Sequence, residues 1–190
     1  MKIGLFFGSF NPIHIGHLAI ANYMVEFTEL DQIWFVVSPH NPHKKKNTLL
    51  DDYSRLELVE KAIDSDNRFR ASNVEFGLPQ PSYTADTLAH LLDQFPNNEF
   101  SLIMGGDNLK SFHKWKNAEY IRKICDLYVY PRPGIDLTKW IKQKGIYITE
   151  SPHFDISATF IRSAIKDKKN VRHFLPPDVW EMIDKLGYYL

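Results

Sequence analysis

The sequence predicts an α/β protein: a Rossmann-like open parallel sheet with helices on both faces and a helical C-terminal section. Three observations lead there. Short β-rich runs alternate with longer helical ones, the pattern of βαβ units joined by right-handed crossovers. Several β-rich runs are apolar throughout, as strands covered on both faces must be. After residue 150 the alternation stops, and two helical segments follow with no strand between them.

Taken in order, "KIGLFF" (2–7), "QIWFVV" (32–37), "FRASNVEF" (69–76), "EFSLIM" (99–104), "DLYVY" (126–130) and "IYIT" (146–149) are the expected strands. The first helix is expected over 14–27, where Leu18, Ala21, Met24 and Val25 recur at helical spacing. A second, over 51–63, places Leu56, Val59 and Ile63 on one side. A third, over 84–95, follows a Pro-Ser-Tyr segment and stops before Pro96. "SATFIRSAIKDKK" (157–169) and "PPDVWEMIDKLGYY" (176–189) give the last two. No repeat, low-complexity tract or linker divides the chain, so residues 1–190 are expected to form a single domain, with the sheet core in about 1–150 and the C-terminal helices in about 151–190. The stretches 38–50, 77–84 and 132–139 are expected to be loops, of a length more often functional than idle near the strand ends.

Composition sets the outer limits. A chain of 190 residues with 44% hydrophobic content can enclose a sizeable core. Formal net charge is zero, so no global field argues for nucleic acid or an anionic membrane as partner, and an anionic ligand needs a local site. The lone cysteine, Cys125, excludes an intramolecular disulfide framework and suits a reducing compartment. Its apolar neighbourhood fits a buried structural thiol. The N-terminal apolar run is too short for a signal-peptide core, and no segment approaches the roughly 18 apolar residues of a membrane helix. A cytoplasmic protein is expected.

The chemistry-bearing stretch is "GLFFGSFNPIHIGH" (4–17). A strand running into Gly8-Ser9-Phe10 and then a helix is the geometry of a phosphate cradle. Glycine lets backbone approach a ligand closely, successive N–H groups can face an anion, and the helix N-terminus adds partial positive charge. His14 and His17 fall three residues apart in the first helical turn, where two imidazoles can hydrogen-bond phosphate oxygens. A glycine turn alone is common in βα units. The histidine pair could also join His40 or His43 as metal ligands, although no cysteine pair or Glu-centred zinc helix supports this. The patterns G-x-x-x-x-G-K-S/T and G-x-G-x-x-G are absent from the sequence.

"GSFNPIHIGH" resembles the signature of the nucleotidyltransferases with a histidine-x-glycine-histidine motif. Within that superfamily the chain is similar to the nicotinate-nucleotide adenylyltransferases. Besides the signature, the matching segments are "SPHNPHK" (38–44), "PSYTADTL" (81–88), "GGDNLKSFHKWK" (105–116), "RPG" (132–134) and "ISATFIR" (156–162), in the family's order. The resemblance implies adenylyl transfer from ATP to nicotinate mononucleotide, with magnesium, through in-line attack and no covalent enzyme intermediate. Catalysis is then mainly positioning and charge stabilisation.

The resemblance also implies roles. Gly8, Ser9 and Phe10 would hold the phosphate and ribose region through their backbone. His14 and His17 would contact the ATP phosphates, with His17 closest to the transferring group. Ser157, Thr159 and Arg162 would form a second anion site, although Ser157 also suits a helix cap and Arg162 a solvated helix arginine. Gly105 and Asp107 would serve the nucleotide, Asp107 through ribose hydroxyls, while also suiting a helix cap. Arg132 would lie near adenine and ribose. On the mononucleotide side, Tyr83 and Thr84 at a helix start would meet the nicotinate carboxylate, Trp115 would stack on the pyridine ring, and Lys44 would meet the phosphate. No protein-held metal site is expected.

The chain departs from the family's pattern in three places. Phe7 and Asn11 stand where the family often has glycine and aspartate, Ala158 where serine is frequent, and Pro131 precedes Arg132. Asn11 lacks the negative charge that aspartate would bring. Alternatives are the same chemistry on nicotinamide mononucleotide or phosphopantetheine, and a non-catalytic nucleotide sensor. An RNA-directed enzyme of the tRNA synthetase type is disfavoured by the short chain and zero net charge. ATP and nicotinate mononucleotide are the expected partners, with neither nucleic acid nor membrane. The oligomeric state is left open, a homo-oligomer included.

Overall fold

The structure is a computed structural model and describes residues 1–39 and 49–190. Six strands pair in parallel: β1 (Lys2–Gly8), β2 (Gln32–Val37), β3 (Phe69–Ser72), β4 (Glu99–Gly105), β5 (Leu127–Tyr130) and β6 (Ile146–Ile148). Their order across the sheet is β3-β2-β1-β4-β5-β6. Growth of the sheet therefore reverses between β1 and β4. In such a sheet the crevice for ligands opens outside the carboxyl ends of these two strands.

Period-two alternation divides β1, β2, β4 and β5 between two cores. On one face Phe6, Ile33, Phe35 and Ile103 pack against α1 (Ile15–Phe27), α2 (Asp52–Ile63), α6 (Ala158–Lys166) and α7 (Pro177–Leu186). On the other, Ile3, Leu5, Val36, Leu102 and Val129 pack against α3 (Thr84–Gln94), α4 (Gly106–Ser111) and α5 (Ala118–Ile124). The last two helices belong to the first of these cores, through Ile161, Ile165, Val179, Met182 and Ile183. Among the described residues, no helix is long and apolar enough to cross a membrane.

Two differences from the sequence expectation matter for the site. The third strand is shorter than the expected 69–76. It stops at Ser72, and Val74–Gly77 turns into a 3-10 helix. That turn buries Glu75, whose carboxylate accepts a hydrogen bond from the Thr87 hydroxyl at 2.8 Å. Secondly, the chain after α7 folds back. Gly187 caps that helix in the left-handed region at φ +65°, a conformation glycine adopts without a Cβ clash. Tyr188 then donates its hydroxyl to Ser54 Oγ at 3.1 Å, and Tyr189 donates its own to Asn11 Oδ1 at 2.8 Å.

Candidate active site

At the crevice between β1 and β4 lies a cleft of about 300 Å³. Gly8, Ser9, Phe10, Asn11, His14, His17, Tyr130, Arg132, Ser157 and Ala158 are among the residues that line it. Seven of these were expected from the sequence as site residues: Gly8, Ser9, Phe10, His14, His17, Arg132 and Ser157.

The turn after β1 is fixed by an aromatic plug. Phe10 is 2% exposed, and its ring packs edge-on against Phe6 and Phe35 at 5.9 and 5.5 Å. The ring also covers Gly8 so closely that a Cβ there would lie 2.8 Å from it. Glycine is thus required at residue 8 by this close approach. Phe10 itself holds φ at +42°, an uncommon conformation for a residue with a side chain. Its side chain is committed to the core, and Phe10 is among the residues that line the cleft.

His14 is the N-cap of α1, and His17 lies in the first turn. Their rings stack at 3.7 Å with planes 25° apart. The His14 backbone N–H donates to His17 Nδ1 at 3.2 Å, which leaves the proton of the neutral imidazole on Nε2. His14 Nδ1 is buried without a hydrogen-bond partner among the described residues. Burial, and then the nearby Arg132 charge, hold the His14 imidazole down to about 4. Burial, His14 and Arg132, in that order, hold His17 well below the ordinary histidine value. Both rings are therefore neutral at pH 7 in the free protein.

A stability prediction follows from the sign of these shifts. Unfolded His14 takes up a proton near 6.5, whereas folded His14 does so only near 4. The folded state therefore loses stability as pH falls from about 6.5 towards about 4, and His14 alone accounts for about 2 kcal/mol at pH 5. Urea unfolding at pH 7 and pH 5 should show this loss, and H14Q should reduce it, with His17 supplying a further part of the same sign. An unchanged pH slope in H14Q would assign the loss to other groups.

Opposite the histidines, Arg132 donates from Nη2 to the Tyr130 hydroxyl at 3.2 Å, and its Nε lies 3.8 Å from Asp107 Oδ1. Gly105 permits this arrangement. A Cβ there would stand 2.4 Å from Asp107 Oδ1 and 3.2 Å from Arg132 Nε. Gly105 and Asp107 do not line the cleft themselves, but both adjoin Arg132, which does. At the start of α6, Ser157 Oγ accepts the Phe160 N–H at 3.1 Å, so the expected cap is present. S157A should cost about 1 kcal/mol of unfolding free energy, measurable by denaturant titration. Arg162 donates from Nη1 to the Asn11 carbonyl at 2.7 Å and from Nη2 to Thr159 Oγ1 at 3.3 Å. The serine–threonine–arginine set is therefore joined to the turn after β1.

Of the expected mononucleotide residues, Tyr83, Thr84 and Trp115 do not line this cleft. Tyr83 caps α3, Thr84 opens it, and Lys116 reaches over the Tyr83 ring at 4.3 Å while pairing with Asp86 at 3.0 Å. Trp115 is the residue before Lys116 in the chain. Trp115 is half-buried, with its ring 5.2 Å from that of Phe112. Lys44, like His40 and His43 of the metal alternative, lies outside the described residues.

Similarity to known proteins fits this geometry. A family model of cytidylyltransferase-like proteins matches residues 5–164. A protein of Flavobacterium psychrophilum, named a probable nicotinate-nucleotide adenylyltransferase, is 57% identical over 100% of this chain and 99% of its own length. One of Bacteroides fragilis with the same name is 49% identical over 96% of this chain and 90% of its own. The chain belongs to the nicotinate-nucleotide adenylyltransferase family. Its fold is shared by the Plasmodium falciparum nicotinic acid mononucleotide adenylyltransferase complexed with NaAD. That match has a TM-score of 0.82 at 18% identity and covers 99% of this chain and 97% of the other.

Against the family's pattern, Asn11 still supplies an acceptor: its Oδ1 takes the Tyr189 hydroxyl and the Leu50 N–H. The sequence reading passed over Arg55, Glu75, Tyr130 and Tyr189. For Arg55 a signal existed. It stands three and four residues before Leu58 and Val59, on the buried side of α2, where an unpaired charge would be costly. Cys125 is buried, its thiol pushed up to about 12 by burial and then by Asp126, and it lies in the core served by α5.

Proposed function

We propose that this protein transfers the adenylyl group of ATP to nicotinate mononucleotide, giving nicotinate adenine dinucleotide and pyrophosphate in NAD biosynthesis. The observation that carries this reading is the stacked His14–His17 pair in the cleft where the strand order reverses. The names of the relatives support the acceptor.

In this reading the 5′-phosphate oxygen of the mononucleotide attacks the α-phosphorus of ATP. A new P–O bond forms, the bond to the bridging oxygen of pyrophosphate breaks, and pyrophosphate departs with the electron pair. The neutral rings act as hydrogen-bond donors, and His17 Nε2–H is aimed by the bond that its Nδ1 accepts. Such donors are most effective where charge develops in a water-poor site. Ser157, Thr159 and Arg162 supply the second anion contacts, with Arg132, Gly105 and Asp107 at the nucleoside. Lys44, Tyr83, Thr84 and Trp115 serve the mononucleotide. Among the described residues no group of three or more His, Cys, Asp or Glu side chains gathers to hold a metal. Magnesium in this reading arrives on the triphosphate as part of the substrate. We place the enzyme in the cytoplasm, where its lone buried thiol suits the reducing conditions.

The test is pyrophosphate release from ATP and magnesium with nicotinate mononucleotide, nicotinamide mononucleotide and phosphopantetheine in parallel. Dinucleotide formation with strong preference for the nicotinate form is expected. Preference for another acceptor would replace the substrate. Release with none of them, from protein that binds ATP, would make the chain a nucleotide-binding module.

A further inference from the structure

Behind the turn that follows β1 lies a guanidinium with no solvent exposure. Arg55, in the first turns of α2, is fully buried and is the largest fully buried side chain among the described residues. Its Nη1 donates to the Ser9 carbonyl at 2.5 Å and to the Ser38 carbonyl at 2.9 Å. Its Nε donates to the Leu50 carbonyl at 3.1 Å, and Nη2 to Asp52 Oδ1 at 2.5 Å. Ser9 follows the last residue of β1, and Ser38 follows the last residue of β2. A single side chain therefore fastens the carboxyl ends of two adjacent strands to the start of a helix.

Packing alone does not explain this choice. An apolar side chain of similar length would fill the space without removing a charge from water, and buried ion pairs seldom stabilise more than an apolar replacement does. What the guanidinium supplies is direction. A trans peptide is planar, with its C=O and N–H pointing opposite ways. With the Ser9 carbonyl held by Arg55, the Phe10 N–H of the same peptide must face away from Arg55. Ser9 and Phe10 both line the cleft. The turn is gripped a second time at Asn11, whose carbonyl accepts from Arg162 and whose side chain accepts from Tyr189.

We propose that Arg55 is a positioning residue for adenylyl transfer, acting through the Ser9–Phe10 peptide to aim the Phe10 N–H at a phosphate oxygen of the bound nucleotide. The proposal rests on the adenylyl-transfer reading. Arg55 itself touches no substrate. Its planar fork serves two carbonyls from one nitrogen while meeting a third from another, which a lysine ammonium cannot reproduce in that geometry.

The experiment compares R55Q, R55K and D52N with the unaltered protein, each below its melting temperature. D52N removes the charged partner and leaves the carbonyl bonds in place. The expected result is a fall in kcat/KM of about 30-fold or more for R55Q, partial recovery in R55K, and near-unaltered kinetics in D52N. Equal kcat and KM in folded R55Q and D52N would reduce Arg55 to a structural residue. The unaltered protein supplies an independent readout whether or not the variants fold. In 15N-resolved NMR with α,β-methylene-ATP and magnesium, the Phe10 amide proton should shift downfield, as one that gains an anionic acceptor does. No shift at saturation would overturn the proposal. Unaltered protein that binds the analogue but forms no dinucleotide from ATP and nicotinate mononucleotide would instead count against the adenylyl-transfer reading.

Discussion

H17A should lower kcat by at least about 10²-fold, the scale of removing one preorganised donor from a site of developing charge, while the fold persists. The reason lies in how little the imidazole can reorient. Its Nδ1 is occupied by the His14 N–H, one face is stacked on His14, and its edges meet Phe6 and Phe10 at 6.1 and 5.1 Å. A donor fixed in this way costs no reorganisation at the moment of reaction. Because the ring is neutral before binding, its contribution is a directed N–H rather than a full charge. The loss should therefore appear as a drop in kcat at saturating ATP, with a smaller change in KM. Steady-state pyrophosphate release, with a melting curve to establish folding, makes the measurement. Turnover near that of the unaltered protein, in folded H17A, would remove His17 from the reaction.

W115A should raise KM for nicotinate mononucleotide about 10-fold or more, from a loss of stacking worth about 1–3 kcal/mol, and change KM for ATP by less than about 2-fold. Trp115 is only partly covered, and its chain neighbour Lys116 meets Asp86 and Tyr83 at the start of α3. ATP in the proposed arrangement meets His14, His17, Ser157, Thr159 and Arg162 through its phosphates and Gly105, Asp107 and Arg132 through its nucleoside, and none of these contacts is to Trp115. The two constants should therefore separate. Because Trp115 also packs on Phe112, W115A should melt at a lower temperature, so both constants must be measured well below it. An equal rise in both would make the tryptophan a core residue whose loss loosens the whole fold.

The sequence was most informative where a pattern is repeated and least where a contact is singular. The strand runs were readable because each is apolar over several residues, and the sheet they form has the six members expected. The overlong third strand shows the limit. "FRASNVEF" alternates well enough for a strand, but the chain turns after Asn73, and Glu75 in that turn meets the Thr87 hydroxyl twelve residues later, a contact no local pattern announces. Helix α5 was passed over because "AEYIRKI" buries only Ile121, and a single buried position sets no period.

The histidine pair and the glycine turn were readable because both are local. Arg132 meeting Asp107, Arg162 meeting Asn11 and Arg55 meeting Ser9 join residues distant in the chain. No spacing rule announces such meetings. The resemblance to a family placed Arg132 and Arg162 near nucleotide, but it did not foresee that Arg162 would bind the turn itself, or that Arg55 and Tyr189 would be there at all.

The bond from Tyr189 to Asn11 spans 178 positions of chain, and that has a consequence in time. At about 5–20 residues per second, the ribosome makes Asn11 roughly ten to thirty-five seconds before Tyr189. During that interval the nascent chain carries the turn after β1 without the hydrogen bond from Tyr189. That contact is thus one the turn after β1 can gain only late, after the strands and helices between the two residues have been made.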